Sequence, residues 1–480
     1  MQSLRKKSTE HISNSPRFLF YAFLVLLAWL PLPMASNRPW AWSIMELYVF
    51  VLAIIWLILF AIGRTDPTKA FLKAKPVILL FALWILFVFI QFTPMPFHWV
   101  EFFSSKAAFL YQSVPGINHD YIPISVDPHA TKIAWQKSIA YVLFFSLTLL
   151  LVDRRNRIKI LCLVIIFSGF AQAIYGSIMS LSGLEYGFFI EKEVNRGVAT
   201  GTFINRNHLA NFLVMSLAVG IGWMISKTEP SQGEKSKKQR LRAIIHWVLS
   251  GKISMRLVLA AMVVGLILTH SRMGNSAFFL SLMFAGGLMW HFSKGNKLNI
   301  LALFVSLIII DLIIMGNWFG IDKVADRIQQ TTVATESRSD VFEYAWMLWL
   351  DYFWVGCGLE TFYTTFPAYR GGDVVGYFDH AHNDYLELLG DVGIVGFFLL
   401  SSVVIWSFLI GIQAMKNNRS RTMRGIAFAS IMTITAQLIH ATVDFSLRIP
   451  ANTAYFMVIL AMAWIASVSF GQKISKNNLQ

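Results

Sequence analysis

Apolar runs of helical length, separated by short polar segments, recur from one end of this chain to the other. A helical crossing of a bilayer needs about 20 predominantly apolar residues. Such runs fall near residues 18–33, 44–63, 77–93, 138–152, 160–181, 207–226, 257–270, 276–292, 298–316, 392–414, 425–443 and 452–470. Lipid supplies no partner for backbone N–H and C=O groups, so a spanning segment must be a helix or a strand of a closed barrel. Continuous runs, unlike the alternating pattern of a barrel strand, select helices. The expectation is an all-α polytopic membrane protein of about twelve transmembrane helices, forming one integral membrane domain over residues 1–480. Only 14% of the residues are charged, against about 25% in a soluble domain.

The chain carries 41 Lys and Arg against 26 Asp and Glu. A basic balance can signal nucleic acid, but these cations lie in short loops between apolar runs, the pattern of membrane insertion. With the N-terminus inside, most of them fall on the cytoplasmic side, and an even number of spans returns the C-terminus there. The basic start, Arg5, Lys6, Lys7 and Arg17, leads into Phe18–Pro33 without a small-residue cleavage site, so this run is expected to be the first span. Cys162 and Cys357 cannot build a disulfide framework.

Two loops stand out. Residues 227–256, with EKSKKQRLR, read as a basic cytoplasmic loop facing anionic lipid. Residues 317–391 form a large outer loop rich in aromatics, expected to be helical and to fold over the membrane surface. Within it, Arg338 to Trp354 reads as a helix. Phe342, Trp346, Leu350 and Trp354 share one face of it, and packing on the bundle is the expected role of that face. Trp40 and Trp42 read as an interfacial belt, and Asp311 as a carboxylate inside the ninth span.

The densest set of ionisable groups is FDHAHNDYLELLGDVGIVGF, residues 378–397, where the outer loop returns to the membrane. Asn383 or Asp384 can cap a helix there, with His382 just ahead of it and Gly390 and Gly393 permitting a tight bend. A neutral His382 imidazole can accept a proton from a sugar hydroxyl, oriented by Asp379, Asp384 or Glu387. The plain alternative is a polar cap on a span. His380 and His382, two apart, have no evident further metal ligands, and no metal or other cofactor is expected.

Arg206 in TGTFINRNHLANF, Arg272 in HSRMGN and Arg338 in ESRSDVF all fall on the outer side, where the insertion bias makes cations scarce. Guanidinium forks bind phosphate oxygens bidentately, so together they suit a lipid diphosphate. Singly, each can equally be a snorkelling or carboxylate-paired side chain. Arg448 in DFSLRIP is a weaker fourth of this set and reads rather as a span flank, and His208 as a capping histidine or a supporting group. The chain has no P-loop and no dinucleotide fingerprint. An enzyme outside the cytoplasm then needs a donor that carries its own leaving group.

TGTFINRNHLANF, THSRMG, the Arg338 to Trp346 segment and HAHNDYLELLGDVGIVG resemble the O-antigen ligase and polymerase superfamily, bacterial membrane glycosyltransferases acting on undecaprenyl-diphosphate-linked glycans. The resemblance implies metal-independent, inverting transfer from that donor to a lipid or glycolipid acceptor, such as a lipid A core, at the outer face of the inner membrane. It makes His382 the catalytic residue and Arg206, Arg272 and Arg338 the diphosphate-binding arginines. His208, His380, Asn383, Asp384 and Glu387 are supporting candidates. DYFWVGCGLETF lacks the proline such proteins often carry before the glycine turn, and Asp391 stands where a glutamate is common. Ligase and polymerase remain alternatives, and a transporter of lipid-linked glycans is the alternative of another class.

Overall fold

A computed structural model describes residues 16–116, 119–227, 252–293, 332–372, 374 and 378–468. The run 298–316 with Asp311, most of the basic loop 227–256, and the first part of the 317–391 loop lie outside the described residues.

The described chain is 75% helical, and among the described residues its strands make two two-stranded antiparallel sheets, Met95–Pro96 with Tyr121–Ile122 and Tyr186–Gly187 with Ile190–Glu191. Its main helices are α1 (Arg17–Trp29), α2 (Pro39–Ala61), α3 (Lys75–Phe92), α4 (Pro128–Leu151), α5 (Arg155–Ser182), α6 (Arg206–Lys227), α7 (Lys252–Leu268), α8 (Arg272–Phe292), α9 (Thr332–Asp351), α10 (Asp384–Asn417), α11 (Arg421–His440) and α12 (Pro450–Ala466). Eight of these are long and apolar enough to cross a membrane: α2, α3, α4, α5, α6, α8, α10 and α11. Arg17–Trp29, Ser254–Leu268 and Pro450–Ala466 are shorter apolar helices that coincide with three further runs.

Local chemistry sets the helix starts. Pro39, Pro128 and Pro450 stand in the first turn, where the missing N–H costs nothing. Asp127 caps α4 by accepting from Ala130 N at 3.0 Å, and Ser271 caps α8 by accepting from Gly274 N at 3.1 Å.

Helix α6 forms the centre, with 89% of its apolar window buried, and α11 packs along it. Gly222 and Gly425 make that approach possible, since a Cβ on either would stand 2.2 Å from the other's carbonyl oxygen. Small residues at such crossings replace the hydrophobic drive that lipid does not provide. Helices α2, α3 and α10 are only 28% buried over their windows and form the lipid-facing rim.

Helix α9 corrects one expectation. Its buried face is Val341, Ala345, Leu348 and Trp349, continued by Tyr352, whereas Trp346, Leu350 and Trp354 are exposed. Both faces of this segment are apolar, so periodicity could not choose between them. The face bearing small Ala345 packs against α10, where Leu348 fills the space beside Gly390.

The bend expected near Gly390 and Gly393 occurs at Gly393, whose φ of 60° and ψ of −172° interrupt α10. A Cβ there would lie 2.4 Å from the Trp354 carbonyl carbon. On the same side, Gly356 (φ +74°) brings its backbone against Asp391, with a built Cβ 2.2 Å from the Asp391 carbonyl oxygen. The glycine turn after α9 thus locks onto the bend of α10, and Gln91 of α3 seals the joint by donating to the carbonyls of Val355 (2.7 Å) and Asp391 (3.0 Å).

Candidate active site

Three long helices begin at one place. Gly274 in the first turn of α8 abuts Ala210, the fifth residue of α6, with a built Cβ 2.5 Å from that of Ala210. His208 of α6 lies against the 444–448 turn, and Asp384 N at the start of α10 donates to Ala441 O at 2.9 Å. Helix N-termini carry partial positive charge, and here side chains of Asn205, Ser271 and Asn383 cap N–H groups in the first turn of each. Arg206 is the first residue of α6 and Arg272, exposed, the first of α8. The structure therefore brings these two predicted arginines to adjoining helix ends. Arg338 is on α9, and its side chain lies outside the described residues.

His382 adopts φ +51°, a left-handed conformation unusual for a residue with a Cβ. Asn383 holds the turn: its Oδ1 accepts from Tyr385 N at 3.0 Å and Leu386 N at 3.2 Å, so Asn383 caps α10 and Asp384 does not. Such backbone strain persists where surrounding structure enforces it, and it clusters at functional sites.

The carboxylate facing His382 is one the sequence reading overlooked. Oδ1 of Asp444, 1% exposed, lies 4.0 Å from His382 Nδ1 and 3.8 Å from His208 Nε2. It also accepts from Phe445 N at 2.9 Å. His208 is thus more than a helix cap. The ring of Phe445 gathers three histidines: His380 stacks on it at 4.1 Å, and His208 and His382 meet it edge-on at 4.8 and 5.0 Å.

Glu387 was expected to be able to orient His382. It instead binds His380, Oε1 to Nδ1 at 2.8 Å, while its Oε2 accepts from Ala381 N at 2.9 Å. Burial disfavours the His380 imidazolium, but the adjacent Glu387 carboxylate outweighs burial and raises the histidine's pKa above its ordinary value. Asp379 is exposed, and Asp384 receives Leu447 N at 3.5 Å.

Arg448 corrects the span-flank reading. Its Nε lies 3.3 Å from Glu387 and its Nη2 2.9 Å from Asp391, so it bridges two buried carboxylates. Burial opposes its charge, yet Glu387 and Asp391 drive its pKa above normal. Asp391 also accepts from Glu360 N at 3.0 Å, and Glu360 pairs with Lys137 of α4 at 2.8 Å. Lys137 in turn sits 4.4 Å from the Trp42 ring, so Trp42 is part of this network. A charged chain therefore runs from His380 through Glu387, Arg448 and Asp391 to Lys137. Among the described residues no group of three or more His, Cys, Asp and Glu has the arrangement of a metal site.

Asp444, Phe445 and Arg448 sit together in DFSLRIP, a short polar segment between two apolar runs. An acid and an arginine four residues apart beside a span were the available signal.

The fold and site define a multi-pass membrane protein with a polar centre of buried histidines, carboxylates and Arg448 at one end of its bundle. Residues 257–401 of this chain match the family described as O-antigen ligase, and the resemblance to the O-antigen ligase and polymerase superfamily holds over that stretch. The match includes Arg272, Arg338, His380, His382 and Glu387, and implies an enzyme of the ligase or polymerase type. No curated protein matches the chain.

Proposed function

We propose that this protein transfers a glycan from undecaprenyl diphosphate to a lipid-linked acceptor, such as a lipid A core, at the outer face of the inner membrane. The observation that carries this reading is the placement of His382, against buried Asp444, where α6 and α8 begin with Arg206 and Arg272. In this reading the diphosphate lies at the two arginines and the converging helix ends, which offset the charge that grows on the leaving group. The acceptor hydroxyl attacks the anomeric carbon from the face opposite the departing diphosphate, so configuration inverts. His382 takes the hydroxyl proton, and Asp444 favours the imidazolium that forms. His208, His380 and Glu387 hold the Phe445 platform and the His382 turn in place. The donor brings its own activated bond, and the reading routes no step through a metal. Polymerisation, with a second copy of the donor as acceptor, uses the same groups. In this reading both termini lie in the cytoplasm, the side that the distribution of basic residues between the apolar runs favours.

Transfer of a radiolabelled glycan from polyprenyl diphosphate to a lipid acceptor by purified protein in detergent with chelator tests this. Transfer by the wild type, reduced at least about 10²-fold in His382→Ala and Arg272→Ala, is expected. Wild-type rates in both variants would remove the site assignment.

A further inference from the structure

The segment that joins α5 to α6 turns back along the helix it leaves. Gly183, at φ +72°, ends α5 in the left-handed region, and the hairpin of Tyr186–Gly187 with Ile190–Glu191 follows at once. Glu185 N donates to Met179 O at 3.4 Å, and the Tyr175 hydroxyl donates to Tyr186 O at 3.3 Å. Tyr175 stands about two turns, or about 10 Å, before the end of α5 at Ser182. Side chains on a helix lean toward its N-terminus, so the hydroxyl is no nearer that end than its own Cα. The hairpin therefore lies beside the last turns of a helix long and apolar enough to cross a membrane, not beyond it.

The hairpin keeps its polar groups inside and its apolar groups outside. Lys192, buried, lies 2.7 Å from Glu185 Oε2 and donates to Val198 O at 3.0 Å, while Glu185 Oε1 accepts from Gly197 N at 2.7 Å. The exposed charges, Glu191, Glu193 and Arg196, are all on the returning limb, where Glu191 pairs with Arg196 at 2.7 Å. Leu184, Tyr186, Phe189 and Ile190 are turned outward, and Phe189 is 88% exposed. They continue the exposed face of α5, formed by Ile174, Ile178 and Leu181, and the face of a spanning helix that packs on no other helix meets lipid. At the tip, Phe188 and Phe189 have φ +45° and +66°. Two positive values in a two-residue hairpin loop mark a type I′ turn, whose positions favour Asn and Gly. Two phenyl rings held there at the expense of backbone strain call for apolar surroundings.

We propose that this hairpin is seated in the bilayer, with Phe188 and Phe189 among the acyl chains of the leaflet nearest the candidate site, and that the partner of its apolar face is bulk lipid. Amphipathic elements at an interface bury their apolar side about 5–10 Å into the boundary between headgroups and acyl chains, and the contacts with Tyr175 and Met179 hold the hairpin at such a depth on α5. The inference stands apart from the transfer reading, since it uses only the crossing of the membrane by α5 and the packing of the hairpin against it.

Cys162 and Cys357 are both buried, so a nitroxide on an introduced surface cysteine reports one position. The test places one nitroxide at a time in the full-length protein, in liposomes of phosphatidylethanolamine and phosphatidylglycerol, and measures power-saturation EPR with oxygen, which concentrates among acyl chains, and with a water-soluble nickel chelate. The oxygen-to-nickel accessibility ratio at Phe189→Cys is expected to match that at Ile178→Cys, on the lipid face of α5, and to exceed several-fold that at Glu193→Cys. Ile190→Cys keeps both rings and is expected to give the same high ratio. Phe188→Asn with Phe189→Gly keeps the type I′ turn and removes the rings, and is expected to shift the Ile190→Cys label toward the aqueous value. Nickel accessibility at both Phe189→Cys and Ile190→Cys equal to that at Glu193→Cys overturns the proposal, and so does an Ile190→Cys label that the Asn-Gly tip leaves unmoved. Spin–spin broadening at Phe189→Cys that disappears on dilution with unlabelled protein overturns it in favour of a second copy of this chain.

Discussion

Arg448 Nη2 lies 2.9 Å from Asp391 Oδ2, and the two close the gap between the turn after α11 and the bend of α10. Removing one member of a buried pair leaves an uncompensated charge and costs about 3–5 kcal/mol. Arg448→Met is therefore expected to lower the thermal midpoint of the purified protein well below that of the wild type, because both Glu387 and Asp391 lose their cation. Fluorescence-detected melting in detergent measures this, and an unchanged midpoint would show that the bridge contributes nothing to the fold.

The His380–Glu387 contact sets a pH dependence. The histidine's pKa is raised in the folded protein, so its contribution to stability is complete below its ordinary value of 6.5. It is lost as pH rises through the raised value. The midpoint should fall as pH rises above 6.5 and through the raised value, and the Glu387→Gln variant should lose this part of the slope. Parallel slopes in the two proteins would assign the dependence to another group.

Asp444 is expected to act through His382. Asp444→Asn keeps the size of the side chain and removes the charge that favours an imidazolium 4.0 Å away. Transfer should fall about 10²-fold, within the usual range for general base assistance. The acidic limb of the pH–rate profile should move to lower pH while the donor KM stays near the wild-type value. A variant with normal turnover and an unshifted profile would separate Asp444 from the chemistry.

Gly393 has a backbone conformation that residues with a Cβ rarely adopt, with the Trp354 carbonyl carbon 2.4 Å from the position of a Cβ. Gly393→Ala should cost at least about 1–3 kcal/mol and loosen the joint between α9 and α10. A lower yield of monodisperse protein and a lower midpoint would report it. Gly287, which has open space at its Cβ position, supplies the control: Gly287→Ala should leave both values near the wild type.

Much of the fold was legible because membrane insertion is a local decision. Each apolar run satisfies its backbone within itself, so eleven of the twelve expected runs correspond to described apolar helices without knowledge of their neighbours. The bend at Gly393 and the cap at Asn383 were readable for the same reason, since both depend on residues a few positions away. The α9 stripe was misread because two apolar faces of one helix are equivalent until a partner chooses between them.

The sequence by itself determined an all-helical membrane bundle and a polar motif around His382, where ionisable groups crowd beside a span. Only the tertiary structure decided how those groups pair. Glu387 turned to His380, Asp444 rather than a residue of the His382 motif met that histidine, and Arg448 moved from the margin to the centre. His208, His382 and Asp444 come from three separate parts of the chain, and several carboxylates were equally plausible partners by spacing. Once a group is buried in a low-dielectric centre, its partner is whichever opposite charge the packing of helices brings within reach.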